Sequence, residues 1–183
     1  MVNFLRFVLI LVLLIFSLSI QAQRRGSHGS KRKHSSADYF AQNRFMVGVS
    51  TAGSIFNKKG IGTVNLKLGY FVINGLSIGL GGEYKISGVL NTEKLGGGYA
   101  RYYFSQNRFS PFAEANYFSG KGQIKGDPDK YKVSQIGGAA GLSYAGILKV
   151  LGVEAFADFF QESVTANPSK FYYFLSVRVY ATF

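Results

Sequence analysis

The chain has 183 residues, of which 47% are hydrophobic, 16% aromatic and only 16% charged, yet its formal net charge is +12. That apolar and aromatic content excludes an intrinsically disordered chain. The absence of cysteine excludes a disulfide scaffold and a thiolate metal site, and 23 glycines with 3 prolines in no triplet period exclude a collagen-like rod.

In chain order, residues 1–23 place one cation, Arg6, before an apolar run and a short Ser/Gln/Ala stretch. This is the layout of a secretory signal peptide, with cleavage predicted after Ala22 or Gln23. The apolar run, residues 7–20, is shorter than the ~20 residues of a spanning helix. Residues 24–43 are polar, Gly/Ser-rich and basic, with no period, and read as a flexible periplasmic tail able to touch anionic polymers. Nucleic acid is not an expected partner of an exported chain.

From Arg44 onward the period is two. Val64, Leu66, Leu68, Tyr70 and Val72 alternate with Thr63, Asn65, Lys67, Gly69 and Phe71. Leu76, Ile78, Leu80, Tyr84 and Ile86 alternate with Ser77, Gly79, Gly81, Glu83 and Lys85. Phe171, Tyr173, Leu175, Val177, Val179, Ala181 and Phe183 form a third apolar file. Such alternation belongs to β-strands with unlike environments on their two faces. Turn signals divide the chain into strands at 45–56, 63–72, 76–87, 95–104, 109–119, 133–144, 150–162 and 171–183, each long enough for a tilted bilayer crossing.

The connections alternate as well. Short ones at 72–75, 105–108 and 145–149 interleave with longer ones at 57–62, 88–94, 120–132 and 164–170. Together these features predict an all-β fold, a closed antiparallel eight-stranded transmembrane up-and-down barrel over residues 44–183, with short turns in the periplasm of a Gram-negative cell. Lys67, Glu83, Lys85, Arg101, Glu114, Glu154, Asp158, Glu162 and Arg178 all fall on the polar face. A charge facing hydrocarbon costs about 2–4 kcal/mol at mid-bilayer, so that face is read as the lumen and the other as the lipid wall. Aromatic girdles follow: Phe45, Tyr70, Phe104, Phe109, Tyr144 and Phe183 near the short turns, and Tyr84, Tyr117, Phe159, Phe171 and Tyr173 near the long loops. A soluble lipocalin-like barrel with its apolar face inward is the alternative, and these strands offer few charges for its wet outer wall.

The segment RYYFSQNRFSPFAEANYF (101–118) and the terminal YATF carry a resemblance. They are similar to small eight-stranded outer-membrane barrels of the OmpX/OmpA transmembrane-domain type, the outer membrane protein β-barrel domain. The resemblance implies a monomeric barrel in the outer membrane, with Tyr180 and Phe183 in a C-terminal signal read by the barrel assembly machinery.

A lumen this narrow is filled by side chains. The four cations Lys67, Lys85, Arg101 and Arg178 nearly balance the five acids Glu83, Glu114, Glu154, Asp158 and Glu162, and a salt-bridged plug is expected. Gly79, Gly81, Gly137, Gly141 and Gly152 on the same face are expected to leave space for long side chains and water. A small channel or transporter is the competing function. Catalysis is not expected, because the only histidines, His28 and His34, lie in the tail and Ser163 beside Glu162 lacks a base. No cofactor or metal is implied. Lys58, Lys59, Lys94, Lys121, Lys125, Lys130, Lys132 and Lys170 are read as a basic loop rim facing lipopolysaccharide phosphates. A structural or adhesive role in the envelope is the resulting expectation.

Overall fold

The computed structural model describes residues 39–183 apart from 57–58, 88–90, 125, 127–128, 148–149 and 166. The expected signal peptide, residues 24–38 of the expected tail, and the rim residues Lys58 and Lys125 therefore lie outside the described residues. Eight strands run β1 (Phe45–Phe56), β2 (Lys59–Ile73), β3 (Leu76–Ser87), β4 (Asn91–Tyr103), β5 (Phe109–Ile124), β6 (Lys130–Ala145), β7 (Leu151–Val164) and β8 (Asn167–Thr182). Each pairs antiparallel with the next, and β1 pairs antiparallel with β8, so the sheet is a closed barrel. Closure leaves no sheet edge unpaired along the wall, a requirement where no water is present to satisfy the backbone. The closing seam is the shortest pairing, from Met46 with Thr182 to Ala52 with Ser176.

The faces follow the sequence period. Outside, Leu68, Leu80, Ile78, Leu175 and Val177 are exposed, Leu175 by 81%. Inside, Lys67, Lys85, Arg101, Glu114, Glu154 and Arg178 are buried. The outer wall is thus apolar, the reverse of the polar outer wall of a soluble barrel. Aromatics border the apolar band at both ends: Phe45, Phe104 and Phe109 at the short-turn end, and Tyr117, Phe171 and Tyr173 at the other, all more than half exposed. Phe45 packs on Tyr70 at 5.0 Å between ring centroids, Phe109 on Tyr144 at 4.8 Å and Tyr102 on Phe104 at 5.2 Å.

Three features correct the sequence reading. First, the long loops are mostly strand, and the connections at that end shrink to 57–58, 88–90, 125–129 and 165–166. The outward apolar file stops there because the outer face turns polar, as at Lys94, Lys121 and Lys132, while Leu95 and Val133 face inward. The ladder of backbone pairs continues regardless, for example Lys121 with Lys132. Lys59, Lys94, Lys121, Lys130, Lys132 and Lys170 are accordingly strand residues, not loop residues.

Second, residues 39–43 dock on the barrel rather than continuing the tail. Phe40 is fully buried at the short-turn end, stacked on Tyr103 at 4.0 Å and 11°, and 6.0 Å from Phe71. Its carbonyl accepts the Gly75 N–H at 2.8 Å, and the Gln42 N–H donates to Asn74 Oδ1 at 2.8 Å. Gly75 has φ +83°, and an added Cβ there would lie 2.7 Å from the Tyr103 carbonyl oxygen, so this turn requires glycine. Burial of the Phe40 ring and the hydrogen bonds of this segment together oppose the entropy cost of ordering it.

Third, the space over the inward glycines is taken by aromatic side chains. Tyr99 lies over Gly79, Phe118 over Gly81, Phe160 over Gly137, Phe156 over Gly141 and Tyr180 over Gly152. Phe40, Met46, Phe71, Tyr99, Tyr103, Phe112, Ala139, Ala145, Phe156 and Tyr180 form one cluster, an aromatic core in the short-turn half of the lumen. A smaller cluster of Leu95, Phe118 and Val133 lies nearer the other end.

Candidate functional site

The charges that the strands turn inward gather in two clusters and a cavity. The lower cluster joins β2, β4, β5, β7 and β8. Glu154, fully buried on β7, accepts from Arg101 Nη1 at 2.7 and 2.9 Å, from Arg178 Nη1 at 2.8 Å and from the Tyr103 hydroxyl at 2.6 Å. Glu114 on β5 accepts from Arg101 Nε at 2.9 Å and pairs with Arg101 Nη2 and Lys67 Nζ. The Arg101 guanidinium lies 4.6 Å from the Phe112 ring centroid and that of Arg178 lies 4.5 Å from Phe156, so apolar faces confine the ions laterally. Gly48 on β1 makes room for this layer: a Cβ there would approach Arg178 Cδ to 2.9 Å.

The upper cluster centres on Lys85 of β3. Its ammonium pairs with Glu162 and lies 3.1 Å from Glu93 Oε2. Gln135 Nε2 donates to Glu162 at 2.9 Å and the Tyr131 hydroxyl donates to Glu93 at 3.1 Å. Glu93, read from sequence as a loop acid, is therefore a lumen residue, 5% exposed. The described lumen then holds four cations against six acids rather than five. The signal was present: Glu93 shares parity with Leu95, Tyr99 and Arg101, and extending that strand by two residues would have placed it inside.

Between the clusters lies a polar cavity of about 30 Å³, bordered by Glu83, Asp158, Asn65, Asn116, Ser176 and Arg178 among others. A space of this size holds one or two water molecules. Asp158 accepts from the Ser176 hydroxyl at 2.5 Å and Glu83 from Asn65 Nδ2 at 3.3 Å. Glu83 and Asp158 are thus in the lumen as expected, but they line the cavity and stand outside the ion pairs of both clusters.

The remaining candidate residues are spread out. Lys121, Lys130, Lys132 and Lys170 are exposed, and Lys59 opens β2. Tyr180 points inward, its hydroxyl 2.8 Å from that of Ser143, whereas Phe183 lies 37% exposed beyond the end of β8. The two aromatic residues of the expected terminal signal therefore stand on different sides of the wall. Among the described residues, no three His, Cys, Asp or Glu side chains are grouped to hold a metal ion.

The fold has solved counterparts. The N-terminal β-barrel domain of Pseudomonas aeruginosa OprF superposes with a TM-score of 0.57 at 17% identity, over 78% of this chain and 98% of that one. Neisserial surface protein A (NspA) gives a TM-score of 0.60 at 16% identity, over 76% of this chain and 96% of that one. No family model matches the chain, and no curated protein matches it. At such low identity the likeness concerns architecture alone. The protein has the closed, antiparallel eight-stranded barrel fold of outer-membrane proteins.

Proposed function

We propose that this protein is a monomeric, non-enzymatic integral protein of a Gram-negative outer membrane. Its lumen is closed to solutes, and its role is structural or adhesive, exerted through a basic outer end in contact with lipopolysaccharide. Export by the N-terminal segment and insertion by the barrel assembly machinery belong to the same reading. The observation that carries it is the pairing of a continuous apolar outer band with a fully buried ion layer. Arg101, Glu154 and Arg178 are 0–1% exposed in mid-lumen, and in a barrel this narrow such side chains fill the bore. Planar-bilayer recording of the refolded chain tests the closed lumen. Flat traces are expected, and a reproducible unitary conductance would overturn it in favour of a small channel. Membrane residence is tested on the same preparation by heat-modifiable gel migration, which a barrel inserted in lipid displays.

A further inference from the structure

Three lysines read from sequence as scattered rim charges are adjacent. In the strand register, Lys94 of β4 faces Lys121 of β5, and Lys121 faces Lys132 of β6. All three are exposed and point outward, because Leu95, Gly122 and Val133 beside them point in. Like charges directly opposite each other destabilise a sheet unless something anionic lies between them.

The next row toward the lipid band is Gly96, Ser119, Ser134 and Ser163, again in direct register across four strands. These small residues recess the surface under the ammoniums. The resulting open groove of about 560 Å³ is bordered by Lys121, Lys132, Ser119, Ser134, Ser163 and Thr165, with Tyr117 at its foot. Tyr117, 54% exposed, belongs to the aromatic girdle that marks headgroup depth. The groove therefore offers ammonium donors above, hydroxyl donors on its floor and an amphipathic ring below, at the level where lipid phosphates lie.

We propose that this groove is a binding site for a phosphate monoester on the headgroup of a membrane lipid, held by Lys121 and Lys132 and by the serine hydroxyls beneath them, with Lys94 beside Lys121 adding positive charge at its edge. The ammoniums supply charge-assisted hydrogen bonds to the phosphate oxygens and lose their mutual repulsion on doing so. The site rests on the membrane reading above and narrows its lipid contact from a diffuse basic end to one sector of the wall, β4 to β7. Its depth, contiguous with the lipid-facing band, selects a lipid phosphate over a free one.

The test uses the full chain refolded into phosphatidylcholine vesicles carrying either bisphosphorylated lipid A or the same lipid dephosphorylated. Bound lipid is read by native mass spectrometry after detergent extraction. The expected result is retention of the phosphorylated form only, reduced on the order of 30-fold in Lys121→Gln/Lys132→Gln and unchanged in Arg44→Gln/Arg108→Gln, which removes the same charge at the short-turn end. Equal loss in both variants, equal retention of both lipids, or displacement by millimolar inorganic phosphate would overturn the site. Heat-modifiable migration is recorded for every sample. A barrel that inserts without discriminating between the lipids refutes this site alone, whereas one that does not insert refutes the membrane reading as well.

Discussion

The lower half of the lumen and its middle solve one problem with opposite chemistry. At the short-turn end, Phe40, Phe71 and Tyr103 close the barrel as rings, and the element that completes them, Phe40, comes from outside the strands. One layer higher, Lys67, Arg101, Glu114, Glu154 and Arg178 fill the same bore with charges contributed by the strands themselves. Tyr103 belongs to both, stacking on Phe40 and donating to Glu154. The aromatic layer gains by removing apolar surface from water and tolerates loss of one member as a cavity. The ionic layer gains by mutual compensation, so removing one member leaves the others buried and unpaired. The bore is therefore soft at its end and stringent at its centre.

That contrast can be broken by substitution. The largest effect is expected from Glu154→Ala, which strands Arg101 and Arg178 together. A loss of about 3–5 kcal/mol should appear in urea unfolding of the vesicle-inserted protein. Phe40→Ala is expected to cost about 3 kcal/mol, near the lower bound for a buried ring, because the end of the bore can relax toward water. The two losses should add, within error, only if Tyr103 does not couple them; its double contact predicts that they will not, and a double-mutant cycle measures the coupling. On the outer wall, Leu175→Lys places a charge at an 81% exposed lipid-facing site and is expected to cost about 2–4 kcal/mol in vesicles. Gly152→Ala, which drives a methyl group into the Tyr180 ring, should cost about 1–3 kcal/mol. The smallest effect belongs to Ser143→Ala, which deletes one neutral hydrogen bond to Tyr180 and should cost about 1 kcal/mol by the same unfolding measurement.

The barrel and the facing of its strands were legible because the outer wall and the lumen carry unlike chemistry on alternate residues. Leu68 beside Lys67 and Val177 beside Arg178 carry that information locally. Strand ends toward the loops were not legible, since the outward apolar file ends there and Lys94, Lys121 and Lys132 take its place. Glu93 and Lys94 read as loop residues for that reason. The lysine row was invisible for a further one: Lys94, Lys121 and Lys132 become neighbours only once register fixes which residues face each other. Phe40 gave no signal, being one ring in a stretch without period. The sign balance of the lumen could be read from residue types, but which acid meets which cation could not. Glu83 and Asp158 line the cavity, while Glu93 takes a place on Lys85.

The absence of native cysteine makes the central claim directly measurable. Single cysteines placed in turn at Tyr173, Phe174, Leu175, Ser176, Val177, Arg178 and Val179 on β8, labelled with an environment-sensitive fluorophore in vesicles, can be probed with lipid-borne quenchers. Strong quenching is predicted at 173, 175, 177 and 179 and little at 174, 176 and 178. Quenching without that alternation, or strongest at 174, 176 and 178, would contradict a barrel that turns its charges inward and its apolar face to lipid.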